Sequence, residues 1–486
     1  MTHNATLVWF QKDLRVKDHP ALLSAAERGS PVIPVFIWQP DREGDWPPGA
    51  AGRWWLHHSL MALDRELKKL GSRLLLRKGD AVQVLQDLIV ETHADALFWN
   101  RRYEPSLVAL NADVKSEFRS QGIEVNSFNG SLLYEPWEIM NKQGKPFRVF
   151  TAFWKACLAL PEPSSPLPAP QKIPTPSSWP RSLPIDDLEL LPAVDWAGGL
   201  REAWRPGVQG AEDRLDRFID EALEQYSENR DFPAIAGTSC LSPHLCFGEI
   251  SPRHVMHAVL AQAESGARTA VQQAWSYVRQ LGWREFSNHL LFHFPFTSDS
   301  PLNERFAHFA WKKNSRNLAA WRKGKTGYPI VDAGMRELWH TGWMHNRVRM
   351  TVASFLVKDL LIPWQDGARW FWDALVDADL ANNTMGWQWT AGCGADAAPY
   401  FRIFNPVRQG ERFDPDGAYV RKWIPELAKL PKEYIHNPWE ASPALLADCG
   451  VELGGHYPYP IVDHAEARQL ALDLYEDMKS KRVKKL

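Results

Sequence analysis

The chain has 486 residues, 45% apolar and 23% charged, which leaves room for two or more domains with their own cores. No apolar run is long enough to span a bilayer, and the opening MTHNATLVWFQKDLR has no signal-peptide layout, so a membrane partner is not expected. A formal net charge of −2 gives no global attraction to nucleic acid, so contact with DNA would need a local basic patch.

The first third alternates short β-branched or apolar runs with amphipathic segments. Thr6–Phe10, Val32–Trp38, Arg73–Leu76, Ala96–Trp99 and Glu124–Phe128 read as strands; Pro20–Glu27, Arg53–Leu70, Ala81–Glu91 and Ser106–Gln121 read as helices. Alternation at this spacing predicts an α/β, Rossmann-like domain with a parallel sheet covered on both faces. There is no GxGxxG, so that dinucleotide fingerprint is unsupported. From about Pro161 to Leu191 the composition turns to Pro, Ser and polar residues, as expected of an extended linker. Helical patterns follow at Ala211–Tyr226, Pro252–Ala263, Thr269–Leu290, Leu302–Phe309, Tyr328–Thr341, Trp343–Leu361, Gly367–Leu375 and Asp463–Lys479. The expected organisation is an α/β domain over 1–133, an interdomain linker over 134–205 and an all-helical domain over 206–486.

Five cysteines (Cys157, Cys240, Cys246, Cys393, Cys449) form no CxxC pair. They fit a reducing, cytoplasmic setting without a zinc or iron–sulfur site. Lys312, Lys313, Arg316, Arg322, Lys323 and Lys325, with Arg347 and Arg349, are candidates for a phosphate-binding patch; a solvated helix face is the plainer alternative for each. Most of the 24 tryptophans are expected to fill cores.

The densest chemical signal is Asp377–Pro406, DADLANNTMGWQWTAGCGADAAPYFRIFNP. Paired carboxylates, adjacent amides and Trp-x-Trp are unlike an ordinary Leu/Ala-rich core helix. Acid–base hydrolysis by Asp377 and Asp379 would need a partner His or metal ligands, and none accompanies them. The run Gly237–Gly248, GTSCLSPHLCFG, offers small hydroxyl residues at a loop-to-helix transition, which suits a pyrophosphate or a plain N-cap. In TGWMHNRVRM, Trp343, Asn346, Arg347 and Met350 share one helical stripe, while Val348, Val352 and Phe355 share another. Such a helix would lie between a core and a polar ligand, or its Arg would tie helices together.

DxDLANN with GWQW and DAAPYFRIFNP resembles the flavin-binding heart of the photolyase/cryptochrome family, and the resemblance extends from VWFQKDLR to Ile424–Leu427. It implies an FAD held by Tyr226, Thr238, Ser239, Cys240 (through its backbone), Leu241, Ser242, Tyr277, Arg284, Trp343, Asn346, Arg349, Asp377, Asp379 and Asn383. It further implies that Arg349 pairs with Asp377 and that Asn383 faces the flavin N5, where plant cryptochromes carry Asp. Trp387, Trp364 and Trp311 fall at the family's spacings for an electron relay, although a lone Trp in so Trp-rich a chain is more often core.

The lesion pocket implied by the resemblance comprises Gln280, Trp283, Asn346, Arg347, Met350 and Trp389. Trp283 and Trp389 match the stacking positions for a flipped-out pyrimidine dimer. Gln280 departs from the Glu usual in class I enzymes; it can donate and accept but supplies neither proton nor charge. LYEPWEI (Leu133–Ile139) is similar to class III photolyases. The reading is light-driven repair of cyclobutane pyrimidine dimers in UV-damaged DNA by a monomer. The alternative is a cryptochrome-type blue-light photoreceptor, and the ending at KSKRVKKL, without a long tail, favours repair. An ordinary flavin oxidoreductase would need a nicotinamide site, and none is found. The resemblance also implies an antenna chromophore, a folate such as methenyltetrahydrofolate or a deazaflavin. The class I folate-contacting Asn-Glu pair would fall near Ser106–Leu107 and is absent.

Overall fold

The computed structural model describes residues 4–264, 268–396 and 402–480. Five parallel strands, β1 (Thr6–Phe10), β2 (Val32–Trp38), β3 (Leu75–Lys78), β4 (Ala96–Asn100) and β5 (Glu124–Phe128), form one sheet in the order β3-β2-β1-β4-β5. Every residue of β1, β2 and β4 is buried, as their continuous apolar sequences require of a sheet covered on both faces. Thr6 pairs with Val32 on one side and Ala96 on the other, which fixes the central register. Leu7, Trp9, Val35, Leu97 and Trp99 pack with Leu85, Leu88, Leu110, Val114 and Phe118 from the crossover helices into one core.

The crossover helices span Pro20–Glu27, Ala50–Lys69, Ala81–Thr92 and Pro105–Ser120. Asp80 caps the third by accepting N–H bonds from Val82 and Gln83. The third strand begins two residues later than its apolar run predicts. Leu74 N–H is taken by the Asp64 carboxylate at 3.0 Å, so the ladder opens with Leu75 opposite Val35.

Several helical expectations need correction. The stretch predicted as one helix over Ala211–Tyr226 is Val208–Arg217, a π-turn at Phe218–Ala222, a 3-10 turn at Leu223–Gln225 and a last turn at Tyr226–Asn229. Leu302–Phe309 is only a 3-10 turn, Glu304–His308, whose first turn the Asn303 side chain caps. Trp343–Leu361 starts at Asn346, where the His345 ring accepts Arg347 N–H, and widens into a π-turn at Phe355–Asp359. The segment read as linker contains the helix Phe150–Cys157, which buries Phe150, Phe153, Trp154 and Cys157. Leu380–Ala391 is a helix despite its unusual composition, and Ser315–Arg322, Pro406–Phe413 and Ala418–Trp423 are further helices.

The chain groups into two compact units, the first of which draws on both sides of the 133/134 and 205/206 boundaries. One comprises Met1–Glu224, Ser239–Pro295 and Val376–Leu380; the other comprises Gln225–Thr238, Phe296–Leu375 and Ala381–Leu486. Among the described residues, no helix is long and apolar enough to cross a membrane. The five cysteines are free thiols.

The second unit carries a titration switch in its core. Glu337 accepts the Tyr419 O–H at 2.6 Å and His345 N–H at 3.4 Å. Burial pushes its pKa up to about 7, with the hydroxyl and amide bonds opposing. The folded state therefore favours the neutral acid. Its stabilisation is fully present below the unfolded value near 4.5 and is lost as pH rises through 7, on the order of 3 kcal/mol in all. Glu337→Gln is expected to flatten this part of the pH dependence. Urea unfolding at pH 5, 6, 7 and 8 checks it, and parallel curves for the two proteins would contradict the assignment.

Candidate functional site

In the first unit, the turn Ser239–Ser242 is built around Cys240, which sits in the left-handed region at φ 51°. This turn lets Ser239 Oγ accept Leu241 N–H at 3.3 Å while also accepting the Tyr277 O–H at 2.9 Å. Ser242 opens the short helix Ser242–Cys246 and donates its hydroxyl to Asp377 Oδ2 at 2.7 Å. Cys246 Sγ donates to Ala378 O at 3.3 Å. Burial pushes the Cys246 thiol up to about 12, with the charges of Asp379 and Asp377 adding to the shift against Lys12. The hydroxyl loop and the two carboxylates thus meet in one place.

Glu249 holds the base of this loop. Its fully buried carboxylate accepts from Trp55 Nε1 at 3.0 Å, Ser59 Oγ at 2.6 Å and Gly207 N at 2.7 Å, and it contacts His244 Nδ1. Sequence reading missed this residue. Its partners lie 42 to 194 positions away, apart from His244, so no local spacing reports them.

Tyr277, Gln280, Trp283 and Arg284 lie on successive turns of the long helix Arg268–His293. Trp283 is half-buried, and one face is covered by the Phe150 ring with centroids 3.6 Å apart and planes 9° from parallel. Gln280 Nε2 donates to Ser276 O at 3.3 Å. Arg284 Nη1 donates to Ser131 O at 2.8 Å and lies 3.3 Å from Glu285 Oε1. Glu285 takes Leu133 N–H at 2.8 Å, and burial raises its pKa to about 7. Phe150 was also missed, although Phe150, Phe153, Trp154 and Cys157 stand at helical spacing just ahead of the Pro-rich run.

The second unit holds the other candidates. Tyr226 is buried, its hydroxyl pushed up to about 12 by that burial, with the Arg230 guanidinium 5.2 Å from the ring centre. Thr238 is half-buried one position after Gly237, where a Cβ would meet the Asn229 backbone at 2.8 Å. On the Asn346–Ser354 helix, Arg347 pairs with Asp231 at 2.7 Å and lies 4.3 Å over Phe413. Arg349 Nε donates to Met344 O at 2.7 Å, with its guanidinium 5.9 Å from the Trp343 ring centre. Asn346 is exposed, and its amide lies 3.9 Å from Met350 Sδ. These contacts make the stripe partly a packing surface, with Asn346 at its open side.

Asn383 and Trp387 share one stripe of Leu380–Ala391. Asn383 Nδ2 donates to Ala368 O at 3.1 Å, and Trp387 packs on Gly367, where a Cβ would come within 2.1 Å of the indole. Glycine is required for that approach. Trp387 is 2% exposed and makes edge contacts with Phe371 at 5.0 Å and Trp321 at 6.2 Å. Trp364, buried, stands one turn before Gly367 on the facing helix Trp364–Ala374. Trp311 is half-buried against Phe309 at 4.5 Å. Trp389, two residues from Trp387, is half-buried on another side of its helix. Residues 397–401 of the DAAPYFRIFNP run lie outside the described residues.

The donor set fits a dinucleotide with a flavin. Serine and tyrosine hydroxyls with a loop-to-helix amide turn suit a pyrophosphate, and acids beside hydroxyls suit polar ring and sugar edges. Residues 6–172 match the family described as DNA photolyase, and residues 277–477 match the FAD binding domain of DNA photolyase. The chain belongs to the photolyase/cryptochrome family. A protein of Agrobacterium fabrum named deoxyribodipyrimidine photo-lyase is 51% identical over 97% of this chain and 98% of its own length. Cryptochrome-1 of Arabidopsis thaliana is 44% identical over 95% of this chain and 69% of its own length. Among solved structures, a bacterial class III photolyase from Agrobacterium tumefaciens superposes with a TM-score of 0.95 at 50% identity, covering 99% of this chain and 98% of that one.

Proposed function

We propose that this chain is a class III-type photolyase: a light-dependent lyase that splits cyclobutane pyrimidine dimers in UV-damaged DNA. The observation that carries the reading is the near full-length 51% identity to a deoxyribodipyrimidine photo-lyase, joined to a loop in which Ser239 accepts from Tyr277 and Ser242 donates to Asp377. When bound, excited reduced FAD supplies one electron to the dimer, whose two cyclobutane C–C bonds break before the electron returns, so no net redox change remains.

The chain's own residues bind and orient. Tyr226, Thr238, Ser239, Cys240, Leu241 and Ser242, with Tyr277, Arg284, Trp343 and Asn346, hold the cofactor. Asp377 and Asp379 would accept polar hydrogens from the flavin, Arg349 would balance their charge, and Asn383 would offer its N5 an amide that cannot supply a proton as an acid would. Trp283 and Trp389 stack on the extruded bases, Met350 packs beside them, and Arg347 and Asn346 contact the strand. Gln280 hydrogen-bonds the lesion as a neutral group. Trp387, Trp364 and Trp311 would carry electrons from the surface to the bound flavin and so keep it reduced.

The three-part division at 133/134 and 205/206 assigns the antenna to the α/β part and the flavin to the helical part. The antenna is of folate or deazaflavin class, and the absorbance of extracted pigment distinguishes the two. Five free thiols fit a monomer working in a reducing, cytoplasmic compartment.

The test is incubation of the protein with dimer-containing oligonucleotide in blue light and in darkness. Dimer loss in light alone is expected; loss in neither overturns the reading. The 44% identity to Arabidopsis Cryptochrome-1 favours a second reading, a blue-light photoreceptor, which tight flavin without repair would select. Trp389→Ala is expected to weaken damaged-DNA binding by about 1–3 kcal/mol in a titration by anisotropy. Equal affinity would remove Trp389 from the pocket.

A further inference from the structure

The second unit contains a cavity of about 830 Å³ whose walls include Trp339, Trp370, Trp423, Arg322, Lys323 and Lys422. It is set among the helices Ser315–Arg322, Pro329–Thr341, Trp364–Ala374 and Ala418–Trp423. None of these six residues belongs to the flavin or lesion sets above. Trp339 and Trp370 are parallel within 4° with ring centres 6.0 Å apart, and Trp339 is 65% exposed, so it offers an aromatic face to solvent.

The polar groups point the same way. The Arg322 guanidinium lies 5.0 Å over Trp370, and the Lys422 ammonium lies 4.9 Å over Trp423. No carboxylate lines the cavity among the described residues, and the one carboxylate bonded to a lining cation, Glu426, is engaged with Arg336 at 2.8 Å.

We propose that this cavity is a second ligand site that takes a planar heteroaromatic anion of the nucleotide class. The base stacks on the open face of Trp339, and phosphoryl oxygens reach Arg322, Lys323 and Lys422. A cationic ligand would meet only like charge. A neutral sugar would find no carboxylate for its hydroxyls. The ligand is either a free nucleotide or an unpaired nucleotide within a DNA strand, since the chemistry presented is the same.

The experiment uses the full-length, FAD-loaded protein, so that the flavin position is filled. Calorimetric titrations with AMP and with an undamaged single-stranded oligonucleotide are compared for wild type, Trp339→Ala and Lys422→Glu. Saturable binding that weakens about tenfold in each variant, at unchanged flavin content, is expected. AMP binding identifies a free nucleotide as the source; binding of the oligonucleotide alone identifies a strand. No binding of either probe, or binding that both variants leave unchanged, overturns the proposal. The site does not rest on the repair reading, since a protein inactive on dimers would still show it.

Discussion

Glu249→Ala is expected to lower the unfolding free energy by about 3–5 kcal/mol, the range for removing one partner from a buried charged network. The substitution strips acceptors from Trp55 Nε1, Ser59 Oγ and Gly207 N in a region that water does not reach. Each stranded donor costs its desolvation, while the hydrophobic gain from a methyl is small. Because Glu249 directly follows the Ser239–Gly248 segment, the damage is expected to reach cofactor retention as well, with the purified variant carrying less flavin. Glu249→Gln, which keeps a carbonyl acceptor, should recover part of the loss. Denaturant unfolding measured by far-UV circular dichroism tests the order wild type, Gln, Ala. A variant within about 0.5 kcal/mol of wild type would show that the carboxylate is not the anchor described.

Trp364→Phe is expected to slow photoreduction of the bound flavin by an order of magnitude or more, while affinity for damaged DNA stays unchanged. Phenylalanine preserves an apolar ring at a position that is 1% exposed, so the helix Trp364–Ala374 should keep its packing on Trp387 through Gly367. What changes is the oxidation step, because benzene is far harder to oxidise than indole. Absorbance of the flavin during blue illumination with an external reductant gives the rate directly. An unchanged rate would mean that electrons reach the cofactor by a route that bypasses Trp364.

Much of the fold was legible because burial on two faces leaves an unmistakable record. The runs TLVWF and VIPVFIW are apolar at every position, and a parallel strand is the element that needs this. The π-turns at Phe218–Ala222 and Phe355–Asp359 were not legible, since one extra backbone residue per turn leaves the side-chain pattern almost unaltered. Leu380–Ala391 escaped recognition as a helix for the opposite reason. Its residues answer to particular neighbours, Asn383 to the Ala368 carbonyl and Trp387 to the gap at Gly367, rather than to a general apolar face. At the candidate site, residues close in sequence were identified together, as in Ser239 to Ser242. Phe150 precedes the Pro-rich run and lies within the stretch expected to be an extended linker, and Glu249 has distant partners that no window can reveal.

The near-coplanar contact between Phe150 and Trp283 carries a consequence for ligand entry. A tryptophan pinned along one side has few rotamers left to lose, so a base stacking there, as proposed, would meet a rigid shelf instead of a swinging plate. The ordering entropy was spent when the chain folded, and the proposed capture of a base would cost correspondingly less.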